Sequence, residues 1–188
     1  VCASPADVDR ALRAALDAGM RVKVHADELS DVSAASMAAD ICAISADHLL
    51  FISDEGMEKM AQQGTIATLL PGTAYTLRLP YAPARKMIER GAAVALATDC
   101  NPGSCFTENM QTILSLACSG MKMTVEEALT AATLNGAAAL GVSNLVGSLE
   151  AGKYADFIIA DCAEYPELVY HFGINHAAEV WAGGMKVA

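Results

Sequence analysis

The sequence predicts an α/β fold in which strand–helix units build half of an eight-stranded barrel or a small open sheet. Apolar residues make up 54% of the 188 positions, enough to fill the core of a full domain. Short apolar runs alternate with helical stretches, and the strand ends fall near His25, His48, Pro71 and Asp99, at steps of 48−25=23, 71−48=23 and 99−71=28. Strands that are apolar throughout and linked by helices indicate a parallel sheet covered on both faces.

Residue types that start and stop helices delimit the elements. The clearest case is a helix over 54–63, which Ser53 caps and Gly64 ends. The predicted strands cover 21–25, 46–52, 65–70 and 92–98. The other helices are predicted over 6–18, 31–44, 82–90, 108–119 and 125–140.

From residue 142 onward, short strands and turns replace the helical units. A strand is predicted over 155–160, and residues 179–187 are predicted to form a hairpin that turns at Gly183 and Gly184. This tail therefore forms a small β element apart from the strand–helix units.

Charge and cysteine content limit the classes of partner and compartment. Twelve Lys and Arg against 22 Asp and Glu give a formal charge of −10, which repels phosphate backbones and argues against a nucleic-acid partner. No uninterrupted apolar run reaches the roughly 18 residues of a membrane span, so no membrane insertion is expected. The six cysteines contain no Cys-x-x-Cys pair and mostly lie among small apolar residues, so they are expected to be buried free thiols in a reducing cytoplasm.

Polar side chains that could do chemistry stand at the predicted strands. Working residues of parallel α/β folds sit at the carboxyl ends of the strands, and His25, Glu28 and Asp99 lie at two such ends. His48 lies at the start or in the early body of the second strand. Each has a structural alternative: the histidines as packed residues, Glu28 as a helix N-terminal charge and Asp99 as a turn cap. The second interpretation is that these residues, which lie on successive strand–helix units, meet at one barrel mouth and form a metal site or an acid–base site.

Several longer motifs add a resemblance to a known family. The chain resembles imidazolonepropionases of the amidohydrolase superfamily in HADE (25–28), SADH (45–48), LLPGTAY (69–75), ALATDCNPGS (95–104), TENMQ (107–111) and the tail VGSLEAGKYADFII (146–159). The resemblance implies the second half of an amidohydrolase (β/α)₈ barrel over 1–141 and part of a small β-sandwich over 142–188. It also implies a cytoplasmic homodimer acting in histidine degradation.

The same resemblance implies the reaction and the roles of individual residues. The family opens the cyclic amide of 4-imidazolone-5-propanoate to N-formimino-L-glutamate with one divalent metal, Zn or Fe. His25 and Asp99 match metal ligands, and Asp99 is also placed to accept the proton of water. Glu28 matches a catalytic acid/base that contacts the substrate. His48 matches a group that polarises the carbonyl. Residues matching the substrate loop are Asn101, Gly103 and Ser104.

The chain also departs from the family pattern. Two further ligands would come from a His-x-His pair, and the sequence contains none. With Val1 in place of Met and a helix already in progress, the sequence is expected to be part of a longer one, inactive and a weak metal binder by itself. Two alternatives stay open: another amidohydrolase acting on a cyclic amide or nucleobase-like ring, and a non-catalytic half-barrel that self-associates.

Overall fold

A four-stranded parallel sheet forms the centre of the protein. A computed structural model describes residues 4–188 of the chain, so Cys2 lies outside it. The strands pair in sequence order and consist of β1 (Lys23–Ala26), β2 (Ser45–His48), β3 (Ile66–Leu69) and β4 (Val94–Leu96). Because each strand lies beside the next along the chain, all four carboxyl ends meet at one edge of the sheet.

Helices link these strands and cover the sheet. In chain order they are α1 (Pro5–Asp17), α2 (Ala34–Asp40), α3 (Asp54–Gln63), α4 (Pro71–Leu77), α5 (Ala84–Glu89), α6 (Met110–Met121), α7 (Val125–Ala132), α8 (Leu134–Ala139) and α9 (Glu167–Tyr170). The main core holds the largest fully buried apolar side chains, Leu49, Met57, Met60, Leu69, Met87 and Ile113.

Burial along the strands follows their place in the sheet. Residues of β2, β3 and β4 are buried throughout, as predicted for parallel strands. Edge strand β1 alternates instead, with Val24 and Ala26 in the core and Lys23 and His25 on the open face. This alternation leaves the His25 ring free to take part in a site.

The predicted caps of α3 are confirmed. The Ser53 hydroxyl accepts the N–H of Gly56 at 3.2 Å, and Gly64 ends the helix with φ +73°. The predicted extent of β2 is wrong, because the strand ends at His48 rather than continuing to Ile52. His48 and Leu49 both adopt the left-handed region, φ 77° and 63°, which turns the chain out of the strand. His48 therefore lies at the carboxyl end of β2, not at its start.

Two helical predictions also differ from the structure. Residues 71–77 form α4, for which no helix was predicted; Pro71 occupies the first helical position, where its missing N–H costs nothing. The single helix predicted over 125–140 divides into α7 and α8 at Thr133, whose ψ of −86° breaks the helical path.

A second, antiparallel sheet follows the helical units. Its strands β5 (Phe157–Ala160), β6 (Ala177–Ala182) and β7 (Met185–Lys186) pair in that order. The predicted hairpin is confirmed, with Gly183 and Gly184 at φ 57° and 78° in its turn. Across residues 4–188, no helix combines the length and the apolar character needed to cross a membrane.

The cysteine prediction is confirmed only in part. Five cysteines within the described range are free thiols, and Cys105 alone among these five is buried. The burial prediction is wrong for Cys42 and Cys100, which are exposed; Cys42 adopts φ 54° in the turn after α2, and Cys100 lies in the exposed loop after β4. The prediction for Cys2 falls outside the described residues.

Candidate active site

Two histidine rings meet at the carboxyl edge of the parallel sheet. His25 lies in β1 and His48 ends β2, where Ala26 pairs with His48 in the parallel register. The ring centroids are 4.7 Å apart at an interplanar angle of 62°, an edge-to-face arrangement. The His48 side chain is 3% exposed, whereas His25 lies on the open face of the sheet.

The Glu28 carboxylate joins these two rings. Glu28 Oε1 lies 3.6 Å from His48 Nδ1, and one ligand atom each from His25, Glu28 and His48 lie within 4.8 Å of one another. His48 Nδ1 is buried and has no hydrogen-bond partner among residues 4–188. Burial lowers the pKa of His48 and the nearby His25 acts in the same direction, while Glu28 opposes it.

These donors fit a divalent metal ion. Neutral imidazole nitrogens and a carboxylate oxygen are the ligand types that zinc and iron accept. An unpartnered buried imidazole nitrogen is costly unless a ligand or ion satisfies it. The chemistry of His25, Glu28 and His48 thus suits a metal-assisted reaction at this edge.

Asp27 shapes the loop that carries Glu28. Its buried carboxylate accepts the backbone N–H groups of Val32, Ala34 and Ala35 at 3.0, 3.1 and 3.0 Å. Asp27 itself has φ 47°, a left-handed conformation that turns the chain directly after β1. Sequence reasoning did not single it out, although an Asp seven residues before a helix start is a possible capping group.

Asp99 lies just beyond β4 at the same edge. It is half-buried, has φ 55°, and its Oδ2 accepts a hydrogen bond of 2.5 Å from Thr73 Oγ1. Its charge acts on His48, but it is not one of the three groups within 4.8 Å. The metal-ligand role of Asp99 therefore stays a prediction.

Asn101 organises the loop after Asp99. Its Nδ2 donates to the Asp99 carbonyl at 2.7 Å and to Ser104 Oγ at 3.0 Å, and its Oδ1 accepts the N–H groups of Gly103 and Ser104, both at 2.8 Å. Both Asn101 amide donors are thus used within the loop. The backbone N–H groups of the exposed Gly103 and the half-buried Ser104 are used within the loop as well.

A cavity of about 800 Å³ lies elsewhere in the protein. Strands β3 and β4, helix α8 and strand β5 contribute to its lining, which does not include His25, Glu28, His48 or Asp99. The reactive side chains therefore define the candidate site, not this cavity.

The fold, together with the side chains at the carboxyl edge of the parallel sheet, indicates the class of protein. A sequence profile described as the amidohydrolase family matches residues 1–187, and the chain belongs to that family. Its similarity to particular members is high: it is 51% identical over 178 residues to an imidazolonepropionase of Porphyromonas gingivalis. An imidazolonepropionase of Geobacillus thermodenitrificans is 49% identical over 184 residues. These matches cover 95% and 98% of the chain but only 42% and 43% of the relatives, so the chain spans less than half their length.

Solved structures agree on the fold. An adenosine deaminase from Xanthomonas campestris with bound zinc matches 97% of the chain and 48% of its own length, with a TM-score of 0.83 at 22% identity. Escherichia coli guanine deaminase matches 99% of the chain and 52% of its own length, with a TM-score of 0.75 at 19% identity. The predicted amidohydrolase fold class, part of a barrel with a small second sheet, is confirmed.

Proposed function

We propose that this chain forms the part of an imidazolonepropionase that carries its proton-transfer groups. The supporting observation is the convergence of His25, Glu28 and His48 at the sheet edge, in a chain about half identical to imidazolonepropionases. The reaction is hydrolysis of 4-imidazolone-5-propanoate to N-formimino-L-glutamate, a step of histidine degradation. The barrel part covers 1–141 and the sandwich part 142–188, within a cytoplasmic homodimer.

A divalent metal, Zn or Fe, fits this edge. His25 and Asp99 would hold it, beside the unpartnered nitrogen of His48. When bound, such an ion lowers the pKa of water toward about 7 and polarises a carbonyl. Asp99, a half-buried carboxylate, accepts the proton that water loses as its oxygen bonds to the ring carbonyl carbon.

Bond cleavage needs a proton at the departing nitrogen. As the carbon–nitrogen bond of the cyclic amide breaks, Glu28 takes the second proton of the attacking water from the tetrahedral carbon's hydroxyl and delivers it to that nitrogen. The products are a carboxylate and a formimino group, and Asp99 releases the first proton to solvent. The partly exposed Glu28 side chain, 29% accessible, can reach both the histidines and a bound ring. His48 stabilises the negative charge on the carbonyl oxygen. The loop that Asn101 folds presents Gly103 and Ser104 to the substrate.

A chimaera tests this proposal. We replace the matching 178-residue segment of the Porphyromonas gingivalis relative with this chain and follow consumption of 4-imidazolone-5-propanoate. Glu28→Gln should lower kcat by about 100-fold or more, the usual contribution of a general acid–base group. Glu55→Gln, a change at an exposed carboxylate on α3, is the matched control and should leave kcat unchanged.

Other outcomes separate the alternatives. Full turnover by the Glu28→Gln chimaera would refute the acid–base role. Turnover of guanine or adenosine in place of imidazolonepropanoate would favour an aminohydrolase. The 188-residue chain alone should be inactive, since it lacks a His-x-His pair and zinc sites usually use three or four protein ligands.

A further inference from the structure

We propose that Thr73 is a positioning residue that fixes the orientation of the Asp99 carboxylate. This inference rests on the proposed metal and proton-accepting role of Asp99. It assigns a role to the LLPGTAY segment (69–75), in which the sequence alone indicated only a family motif.

The Thr73–Asp99 contact has the features of an orienting bond. Thr73 is fully buried, and its hydroxyl donates to Asp99 Oδ2 at 2.5 Å across 26 residues of sequence. A hydrogen bond from a hydroxyl to an ionised carboxylate is charge-assisted and stronger than a bond between neutral groups. Among the described residues Oδ1 receives no hydrogen bond, so one carboxylate oxygen is held and the other is left for a ligand or a proton.

The backbone of Asp99 alone does not fix its carboxylate. Asp99 is left-handed, with φ 55°, and lies in a loop three residues after β4, so no turn of helix around it restricts its side chain. Supporting hydrogen bonds of this kind orient metal ligands in known sites, and their loss costs about 10- to 100-fold in metal affinity or activity.

Gly72 brings Thr73 within reach. A Cβ at Gly72 would lie 2.7 Å from Cys105 Sγ, 3.1 Å from Ile113 Cδ1 and 3.4 Å from the Thr98 carbonyl oxygen. The start of α4 can therefore pack this closely against Cys105 and Ile113 because residue 72 has no side chain. Thr76 Oγ1 donates to the Gly72 carbonyl at 2.9 Å, which holds this first turn in place.

The alternative is that the Thr73–Asp99 hydrogen bond has a purely structural role, and three variants distinguish the two roles. A buried hydroxyl needs a partner, and Asp99 could serve simply as that partner. Thr73→Val keeps the shape and removes the donor, whereas Thr73→Ser keeps the donor. Thr65→Val is a matched control, because the Thr65 hydroxyl is equally buried but has no hydrogen-bond partner.

The experiment measures Co²⁺ binding to the 188-residue chain by visible absorption, together with crystal structures of the metal-free variants. Thr73→Val should weaken Co²⁺ binding about tenfold or more, while Thr73→Ser and Thr65→Val stay close to wild type. In the metal-free Thr73→Val crystal the Asp99 carboxylate should turn from its wild-type orientation. If Thr73→Val does not fold, the smaller Thr73→Ala takes its place.

The outcomes separate this inference from the proposed function. Wild-type binding with unchanged affinity in Thr73→Val overturns the positioning role. If the wild-type chain binds no Co²⁺, which its lack of a His-x-His pair allows, the crystal structures alone decide. An unmoved Asp99 carboxylate in Thr73→Val overturns the inference, and a reoriented one supports it.

Discussion

A buried carboxylate beside the candidate site, that of Asp27, organises the loop that carries Glu28. It accepts three backbone N–H groups between residues 32 and 35 and is only 4% exposed. Two of these N–H groups belong to the first turn of α2, which has no side-chain cap from Ser33. Asp27 therefore replaces the missing cap and at the same time fixes the path of the chain after β1.

Removing that carboxylate should destabilise the protein. Asp27→Ala leaves three N–H groups without their acceptor, and we expect a loss of about 2–4 kcal/mol in the free energy of unfolding. Asp27→Asn keeps one acceptor oxygen and should cost about half as much. Urea unfolding measures both, with the exposed Asp17→Ala as control at less than about 0.5 kcal/mol. A cost for Asp27→Ala no larger than that of the control would contradict this role.

At the scale of elements, Arg85 ties α5 to the start of α7. Its Nη1 donates to Glu127 Oε1 at 3.0 Å and its Nη2 to the Lys122 carbonyl at 3.0 Å. Glu127 also accepts the Thr124 N–H at 2.8 Å, and Thr124 Oγ1 accepts the Glu127 N–H at 3.2 Å, a capping box. One carboxylate thus joins a helix cap to an ion pair between two helices.

The Arg85–Glu127 ion pair predicts that part of the free energy of unfolding depends on pH. The hydrogen bond from Arg85 lowers the pKa of Glu127 below its ordinary value of 4.5. A lowered folded-state pKa stabilises the protein fully above the ordinary value, and the contribution disappears as the pH falls through the lowered pKa. Because the pair is partly exposed, we expect about 1 kcal/mol.

Glu127→Gln should remove this contribution. The variant should be less stable than wild type at pH 7, and it should lose less stability than wild type as the pH falls below 4.5. Urea unfolding on both sides of that pH checks the prediction. Glu55→Gln, which changes an exposed carboxylate on α3, is the control. Parallel pH profiles for wild type and Glu127→Gln would refute the prediction.

Local signals predicted the elements well where the sequence carries them. Ser53 and Gly64 delimit α3 as expected, and the Gly183–Gly184 turn follows from its residue types. The α7–α8 break at Thr133 and the end of β2 at His48 depend on tertiary packing, which local sequence patterns do not contain. In the site, the placement of His25 and His48 on successive strand–helix units anticipated their meeting, although His48 was expected at the start of its strand. The Thr73–Asp99 bond joins residues 26 positions apart, which no local pattern indicates.

For the whole molecule, the outer strands of both sheets lack a second partner strand within residues 4–188. Strands β1 and β4 each have a neighbour on one side only within the described residues, and β5 and β7 bound the second sheet. Large apolar side chains on and near the second sheet are exposed, including Leu149 at 76%, Ile158 at 53% and Met185 at 70%. Such edges and faces promote association with another chain.

The isolated chain should therefore self-associate. Sedimentation velocity should show species heavier than the 19.5 kDa monomer that grow with concentration. Ile158→Lys places a charge on edge strand β5 and should reduce the heavier fraction. Ala163→Lys adds the same charge at an exposed position outside the strands and serves as the control. A monomer at all concentrations would refute the prediction.

At the left-handed residues near the strand ends, the residue type that would be most stable differs from the one that the proposed reaction needs. Asp27, His48, Leu49 and Asp99 all have positive φ values, each costing about 1–2 kcal/mol relative to ordinary backbone. Glycine would relieve that cost, so selection for thermal tolerance alone would favour glycine at 48 and 99. Those substitutions would delete the imidazole and the carboxylate. The evolvability of this edge is thus restricted, because these substitutions would remove the side chains that we propose to take part in the reaction.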